Sequence, residues 1–439
     1  MPAHVNTLTQ TNGKNNKIHV EDLAAHDWYR FVLSFPPHLV RQYLEKFNLN
    51  ANSLVLDPFC GTGTTLVECK KLLVPSVGIE AHPMACFASR VKTNWQVNPR
   101  DLLNHAVLVA NIASRHINTK CNDYGKHPPS SLPIIIENDL KTLIPDTMKL
   151  LLTNSISPIP LHKTLNLLEA ISFCEDATFS QYERLALAKT LVFDISNLEF
   201  GPEVGLGTIK EDYPVVSAWL DQVKLMSNDL ESITSLIDTP TSVITGDSRN
   251  VSKLLQPQSI DAVITSPPYP NEKDYTRTTR LESVLLGFIR NKAELRLLKQ
   301  TLLRSNTRGV YKGDSDDLNV ANHAEVNRIA NQIETRRIEL GKTSGFERLY
   351  SKVTKLYFGG MSQHLADLRF SLRPGAKLAY VVGDQASYLR VMIRTGQILS
   401  DIAESLGYQT MSIDLFRTRL STSTKEQLRE EVVNLRWPG

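Results

Sequence analysis

The sequence predicts an open, mostly parallel α/β sheet, and three observations carry that prediction. Short runs of strand length, Ser53 to Leu56, Ser76 to Glu80, Ser242 to Thr245 and Asp261 to Ile264, are apolar or β-branched and bounded by turn residues. The first runs into a glycine-rich turn, Asp57-Pro58-Phe59-Cys60-Gly61-Thr62-Gly63, and then into a helical stretch from Thr64 to Leu72. Three of the runs lead into a polar residue, Glu80, Asp247 or Ser266. Open α/β sheets hold their ligands at the carboxyl ends of strands, where these side chains stand.

Composition sets the frame. At 439 residues and 41% hydrophobic the chain can bury a substantial core and exceeds one average domain, so inserts are expected. A net charge of +3 does not announce a nucleic-acid partner, so any such surface is local. The five cysteines are scattered, odd in number and without a Cys-x-x-Cys pair, which argues for a reducing compartment and against disulfides or a structural zinc site. No run approaches the ~18 apolar residues of a membrane span and no signal-peptide pattern opens the chain, so a cytoplasmic location is expected.

Residues 1–20, rich in Asn, Thr and Lys, read as a mobile arm. Residues 21–95 form the first part of the core, where Pro36-Pro37 opens a helix through Tyr43 and Phe47. Gly61 and Gly63 let the backbone approach a ligand over the N-terminus of the next helix. No Lys-Ser or Lys-Thr follows them, so this is not a phosphate loop. Glu80, at the end of the second strand, can accept both ribose hydroxyls of a nucleoside.

Residues 96–240 form a helical insertion, with helical periodicity over Asp101 to Ile117, Gln181 to Leu198 and Val216 to Ile237. A Pro/Ser/His-rich loop, Tyr124 to Pro133, and a glycine-rich loop, Glu199 to Gly207, interrupt it. Residues 241–284 return to the core. Asn271 to Lys312 is the most basic region; Lys273, Arg277, Arg280, Arg304 and Arg308 there would neutralise phosphates, with Tyr275 and Tyr311 available for stacking. Residues 285–357 are a basic, polar second insertion and the candidate for target recognition. Residues 358–439 close the sheet with a helix at Met361 to Leu372, a strand at Ala376 to Asp384, a helix at Ile393 to Leu406 and strands at Gln409 to Arg417 and Glu431 to Trp437.

The stretch with most chemistry is Ile260-Asp261-Ala262-Val263-Ile264-Thr265-Ser266-Pro267-Pro268-Tyr269. Pro267 and Pro268 cannot donate to a ladder and each fixes φ, so the strand ends in a rigid, extended tip. Ser266 offers a hydroxyl, the prolines offer carbonyl acceptors, and Tyr269 offers a flat face. Those parts suit a planar ring that bears an amino group.

Thr265-Ser266-Pro267-Pro268-Tyr269 resembles the catalytic motif of the amino-methylating DNA methyltransferases, in the form most typical of cytosine-N4 enzymes. Adenine-N6 enzymes usually carry Asp or Asn where this chain has Ser266. Asp57-Pro58-Phe59-Cys60-Gly61-Thr62-Gly63-Thr64-Thr65 resembles the family's S-adenosylmethionine motif, and Ser34-Phe35-Pro36-Pro37 its auxiliary cofactor motif. The resemblance covers residues 28–95 and 241–284, with weaker support over 360–439.

It implies a class I S-adenosylmethionine-dependent methyltransferase sheet, mostly parallel with a terminal antiparallel hairpin, carrying two largely helical insertions. It implies cofactor contacts at Phe35, Pro36, Asp57, Pro58, Phe59, Gly61, Gly63 and Thr64, with Glu80 on the ribose and Asp247 on the adenine amine. Ser266, Pro267, Pro268 and Tyr269 would act on a base flipped out of double-stranded DNA, with no metal required. A cognate restriction endonuclease, acting separately, is compatible with such an enzyme. Adenine-N6 methylation of DNA, amino-methylation of RNA and a non-catalytic nucleic-acid-binding subunit are the alternatives. Cytosine C5 methylation is disfavoured, because it needs a cysteine nucleophile and the chain has no Pro-Cys pair. One departure matters: a long insert precedes the Gly-Asp-Ser stretch, which leaves open which insertion reads DNA.

Overall fold

Seven strands, β1 (Val55–Asp57), β2 (Ser76–Glu80), β3 (Thr241–Thr245), β4 (Ile260–Thr265), β5 (Leu372–Gly383), β6 (Gln409–Leu420) and β7 (Gln427–Arg436), form one sheet in the order β6-β7-β5-β4-β1-β2-β3. The computed structural model describes residues 18–30, 34–118, 134–137, 140–200, 203–233, 236, 238–271, 273–420 and 425–439. The five strands from β3 to β5 pair in parallel, and β7 runs antiparallel between β5 and β6. This is the class I sheet with its terminal hairpin. The order reverses between β1 and β4, so the crevice at the carboxyl ends of these two strands is the topological switch point where such sheets bind ligands.

Alternation along the strands explains the layers. Val55, Ala262, Ile264 and Val381 face one side and pack on Leu39, Val40 and Tyr43 of α1 (Pro37–Lys46). Leu56, Val263, Leu378 and Tyr380 face the other, against Tyr357, Met361 and Leu365 of the helix Tyr350–Leu368. Next in the chain come α2 (Thr64–Lys71) and α3 (Pro83–Thr93), and then a third, mainly helical cluster. It joins α4 (Pro99–Asn118), α5 (Pro158–Phe173), α6 (Ser180–Thr190) and α7 (Val215–Ile233) to Trp28, Met84 and Leu281. Trp28 Nε1 donates to Asp229 Oδ2 at 2.8 Å and Tyr29 OH to Glu282 Oε1 at 2.6 Å, so this layer shares its core with the sheet's own flanks. Among the described residues no helix is long and apolar enough to cross a membrane.

Three expectations change in detail. The glycine-rich loop from Glu199 folds into a small antiparallel hairpin, Leu198–Phe200 with Val204–Leu206, closed by the Gly207 N–H donating to Asn197 O at 2.8 Å. The helix expected from Met361 begins at Tyr350, because Gly359 and Gly360 are interior residues of it and not a stop. A Cβ at Gly359 would lie 1.9 Å from the Asp316 carbonyl oxygen, so glycine permits the close approach of a neighbouring turn. β5 starts at Leu372, running through Pro374-Gly375 by a register shift opposite Ile260 with Gly375 at φ +88°. The loop Tyr124 to Pro133 and most of the N-terminal arm lie outside the described residues.

The turn after β1 depends on Gly63, which caps α2 at φ +83° and whose added Cβ would sit 2.5 Å from Ser89 Oγ. Gly63→Ala is therefore expected to lower stability by ~1–3 kcal/mol, from left-handed strain alone, and more if α3 must shift. Denaturant titration of the two proteins checks this.

Candidate active site

The tip of β4 is fastened on both sides. Thr265 Oγ1 donates to Asp57 Oδ1 at 2.6 Å and Thr65 Oγ1 to the Ile264 carbonyl at 3.1 Å, tying it to β1 and α2. On the β5 side, Ser266 Oγ donates to the Val381 carbonyl at 3.1 Å. A hydroxyl has one proton, and here it is spent, so what Ser266 offers beyond that bond is lone pairs. Tyr269 packs on Gly383, where an added Cβ would lie 2.9 Å from the ring. Burial, with Glu430 nearby, raises the Tyr269 phenol far above its ordinary value and keeps it neutral.

A cavity of about 640 Å³ opens over the switch point. It brings together Phe35, Pro36, Pro58, Phe59, Gly61, Thr64, Glu80, Asp247, Ser266, Pro267, Pro268 and Tyr269, with Lys273 and Arg304 from the basic region. Glu80 is oriented by main-chain donors, Gly61 N–H to Oε2 at 2.8 Å and His82 N–H to Oε1 at 2.7 Å. Burial nevertheless pushes its carboxyl from 4.5 up to about 7. Phe59 is held edge-on by His364, with ring centroids 4.9 Å apart. His364 Nδ1 lies 2.7 Å from the Ser248 carbonyl and Nε2 2.7 Å from the Tyr380 hydroxyl. Burial drops its pKa to about 4, so the ring is neutral; a carbonyl can only accept, so Nδ1 carries the proton and Nε2 accepts from Tyr380.

Several expected residues stand elsewhere than the sequence suggested. Asp57 is fully buried behind the cavity wall, bonded to Thr265 and to the Phe59 N–H at 3.1 Å, so it braces the turn. Burial lifts its pKa to about 6, and its Oδ2 has no partner. Gly63 likewise lies outside the lining and shapes the turn from behind. Asp247 lines the cavity, but Arg249 grips both its oxygens, with Nε at 3.0 and 3.1 Å and Nη2 at 2.7 Å, while Arg249 Nη1 reaches Asp316 at 2.6 Å.

Among the expected DNA contacts, Arg277, Arg280 and Arg308 do not line the cavity. Arg280 spends its guanidinium inside the protein, on the Thr276 carbonyl at 2.8 Å and the Leu150 carbonyl at 3.3 Å. Arg308 lies over the Phe346 ring at 5.6 Å. Arg304 is buried and paired bidentately with Asp314 at 2.8 and 2.9 Å, which makes it a strut of its own loop. A phosphate role for Arg280 or Arg304 would require breaking these bonds, so the basic run is in part internal scaffolding.

Other residues of the site escaped sequence reasoning. Arg417 and Arg419 on β6 line the cavity beside Glu430 of β7, at 2.6 and 3.9 Å. Their spacing of two places both on one face of a strand, a signal that was legible. Arg249, Asn306 and Gln385 also line it, and only Arg249, two residues after Asp247, carried a local sequence clue.

The DNA methylase family, comprising N6 and N4 enzymes, matches residues 4–89. The chain is similar to the type II methyltransferase M.BsoBI of Geobacillus stearothermophilus, at 27% identity over 94% of this chain and 84% of that protein. It is similar to the type II methyltransferase M.AvaI of Nostoc sp. at 25% identity, over 91% and 82% of the two chains. A shorter match, 36% identical, covers 15% of this chain and 12% of the type II methyltransferase M.MjaII of Methanocaldococcus jannaschii. With a class I sheet, a glycine turn and a Ser-Pro-Pro-Tyr tip converging on one cavity, these likenesses support an amino-methylating DNA methyltransferase family for the chain.

Proposed function

We propose that the protein transfers the methyl group of S-adenosylmethionine to N4 of a cytosine flipped out of duplex DNA at a specific site. The observation that carries this reading is Ser266, whose hydroxyl gives its proton to Val381 and so presents lone pairs beside the Pro267 carbonyl. An aromatic amine is a poor nucleophile because its lone pair is delocalised into the ring. Ser266 Oγ and the Pro267 carbonyl accept its two hydrogens and draw the nitrogen toward tetrahedral geometry. Tyr269 stacks on the ring; the N–C bond would form as the S–CH3 bond of the cofactor breaks, S-adenosylhomocysteine would be the leaving group, and the surplus amine proton would pass to solvent water. The Ser form of the tip supports cytosine over adenine, and the likeness to type II methyltransferases supports a DNA substrate; a cognate restriction endonuclease acting separately is part of the same proposal.

The cavity's other half fits the cofactor. Above Gly61, at φ +52°, an added Cβ would meet nothing within 4 Å, so the backbone faces open space. Thr62 Oγ1 and His82 Nδ1 are buried without partners on the same wall. Glu80 holds the ribose hydroxyls, Asp247 the adenine amine, and Phe35, Pro36, Pro58 and Phe59 supply apolar contact. S-adenosylmethionine supplies an activated methyl group, and the protein's task is positioning and electrostatics. Transfer of label from methyl-labelled S-adenosylmethionine to duplex DNA, and not to RNA of matched sequence, is the test.

Basic charge at the mouth supports the DNA reading. Arg417 and Arg419 both pair with Glu430 there, and burial followed by repulsion from Arg419 lowers the pKa of Lys273 on the same lining. Phosphate would relieve that repulsion. Lys273→Ala and Arg419→Ala are each expected to reduce the slope of log affinity against log salt by about 1, on specific and non-specific duplexes alike. Fluorescence anisotropy over a salt series reads this directly.

A further inference from the structure

Besides Thr62 Oγ1 and His82 Nδ1 on the cofactor half, two buried polar atoms on the cavity wall have no partner, and these two lie on the substrate side of the switch point. Gln385, 3% exposed, carries an unpaired Nε2, and Asn306, 9% exposed, carries an unpaired Oδ1. Asn306 is orientated by its Nδ2 donating to the Lys273 carbonyl at 3.1 Å. The Gln385 backbone is clamped to Ile393, N–H to O at 3.1 Å and the return bond at 2.7 Å. Its position is therefore set by the main chain, while its amide is left over. Buried donors are rarely left unmade, since the lost hydration is not recovered, so a clamped and unpaired donor in a ligand cavity points to a bond made in the complex.

Sheet order says which ligand. Glu80 ends β2 and Asp247 follows β3, on the proposed cofactor side of β1, whereas Gln385 follows β5, two residues beyond the strand that holds Ser266 through Val381. Tyr388 OH donates to the Ser305 carbonyl at 3.0 Å, bringing the Asn306 loop to the same end. We infer that Gln385 reads the target base, donating its Nε2–H to the 2-oxo group of the flipped cytosine while Ser266 and Pro267 hold the 4-amino group. Adenine presents C2–H where cytosine presents that oxygen, so the same donor would stay unpaired against adenine. The inference rests on the cytosine-N4 reading and makes Gln385 a specificity-determining residue of that site.

The test pairs Gln385→Leu with the wild type on two duplexes, one carrying the methylated cytosine's site as mapped by sequencing of DNA the wild type has modified, the other abasic at that nucleotide. The leucine variant is expected to keep or raise thermal stability, because it replaces an unpaired donor by an apolar group of similar length. It is expected to lose about tenfold in kcat/KM, and about tenfold in affinity for the intact duplex only, binding the abasic duplex as the wild type does. Gln385→Glu, which puts an acceptor against the 2-oxo group, is expected to lose more. Equal loss on both duplexes, or no loss on either, would overturn the assignment while leaving the proposed reaction standing. A wild-type product other than N4-methylcytosine would overturn the reaction itself, and the assignment with it.

Discussion

Ser266→Ala is expected to lower the rate of methyl transfer by about 100-fold or more while leaving S-adenosylmethionine affinity near normal. The reason is geometric. On the proposed reading the side chain is one of the two acceptors for the target amine, and its own proton is already committed to Val381, so its lone pairs are what the alanine removes. Its neighbours Glu80 and Gly61, which face the cofactor half, keep their mutual bond in the variant. Removing the hydroxyl also leaves the Val381 carbonyl short of a donor, which costs ~1 kcal/mol of stability. That cost is too small to explain a hundredfold loss of rate. Single-turnover kinetics at saturating cofactor, with calorimetric cofactor titration in parallel, separate the two effects.

A second large effect follows from Glu80. Burial holds its carboxyl protonated up to about 7, whereas the unfolded chain releases that proton near 4.5. In the free protein the group thus contributes stability at low pH that is lost as pH rises from about 4.5 through 7. If Glu80 holds the ribose as proposed, cofactor binding has the opposite sign, because ribose hydroxyls donate best to the ionised carboxylate. Affinity is expected to fall roughly tenfold for each pH unit below about 7, and to level off above it. Glu80→Gln is expected to remove that slope and to weaken binding at pH 8 by about 10- to 100-fold, the worth of bonds to a charged acceptor. A pH series of calorimetric titrations on both proteins checks it, and a slope that persisted in Glu80→Gln would assign the titration to another group.

How far these features could be read from the sequence depended on how local their causes are. The strands ending at Asp57, Glu80, Thr245 and Thr265 announced themselves because a buried parallel strand needs a short apolar run and its ligand-bearing end needs a polar residue. The Ser-Pro-Pro-Tyr tip and the glycine turn are single stretches, so their convergence was foreseeable once the sheet was. What stayed hidden was set by tertiary packing. The helix was expected only from Met361, and its first turns from Tyr350 pass Gly359, where the turn at Asp316 occupies the space a side chain would need. Arg280 and Arg304 read as phosphate contacts because charge is visible and the carbonyls and Asp314 that absorb it are not. Gln385 gave no sign beyond its place just after the strand expected to end at Asp384, for its clamp to Ile393 arises only in the fold.

The most direct test of the central claim is nucleoside mass spectrometry on mixed-sequence duplex DNA incubated with the purified protein and methyl-labelled S-adenosylmethionine. The proposed roles of Ser266, Pro267 and Tyr269 predict labelled N4-methylcytosine. Labelled N6-methyladenine would contradict the cytosine assignment, and DNA without label, from protein shown to bind the cofactor, would contradict the proposed reaction.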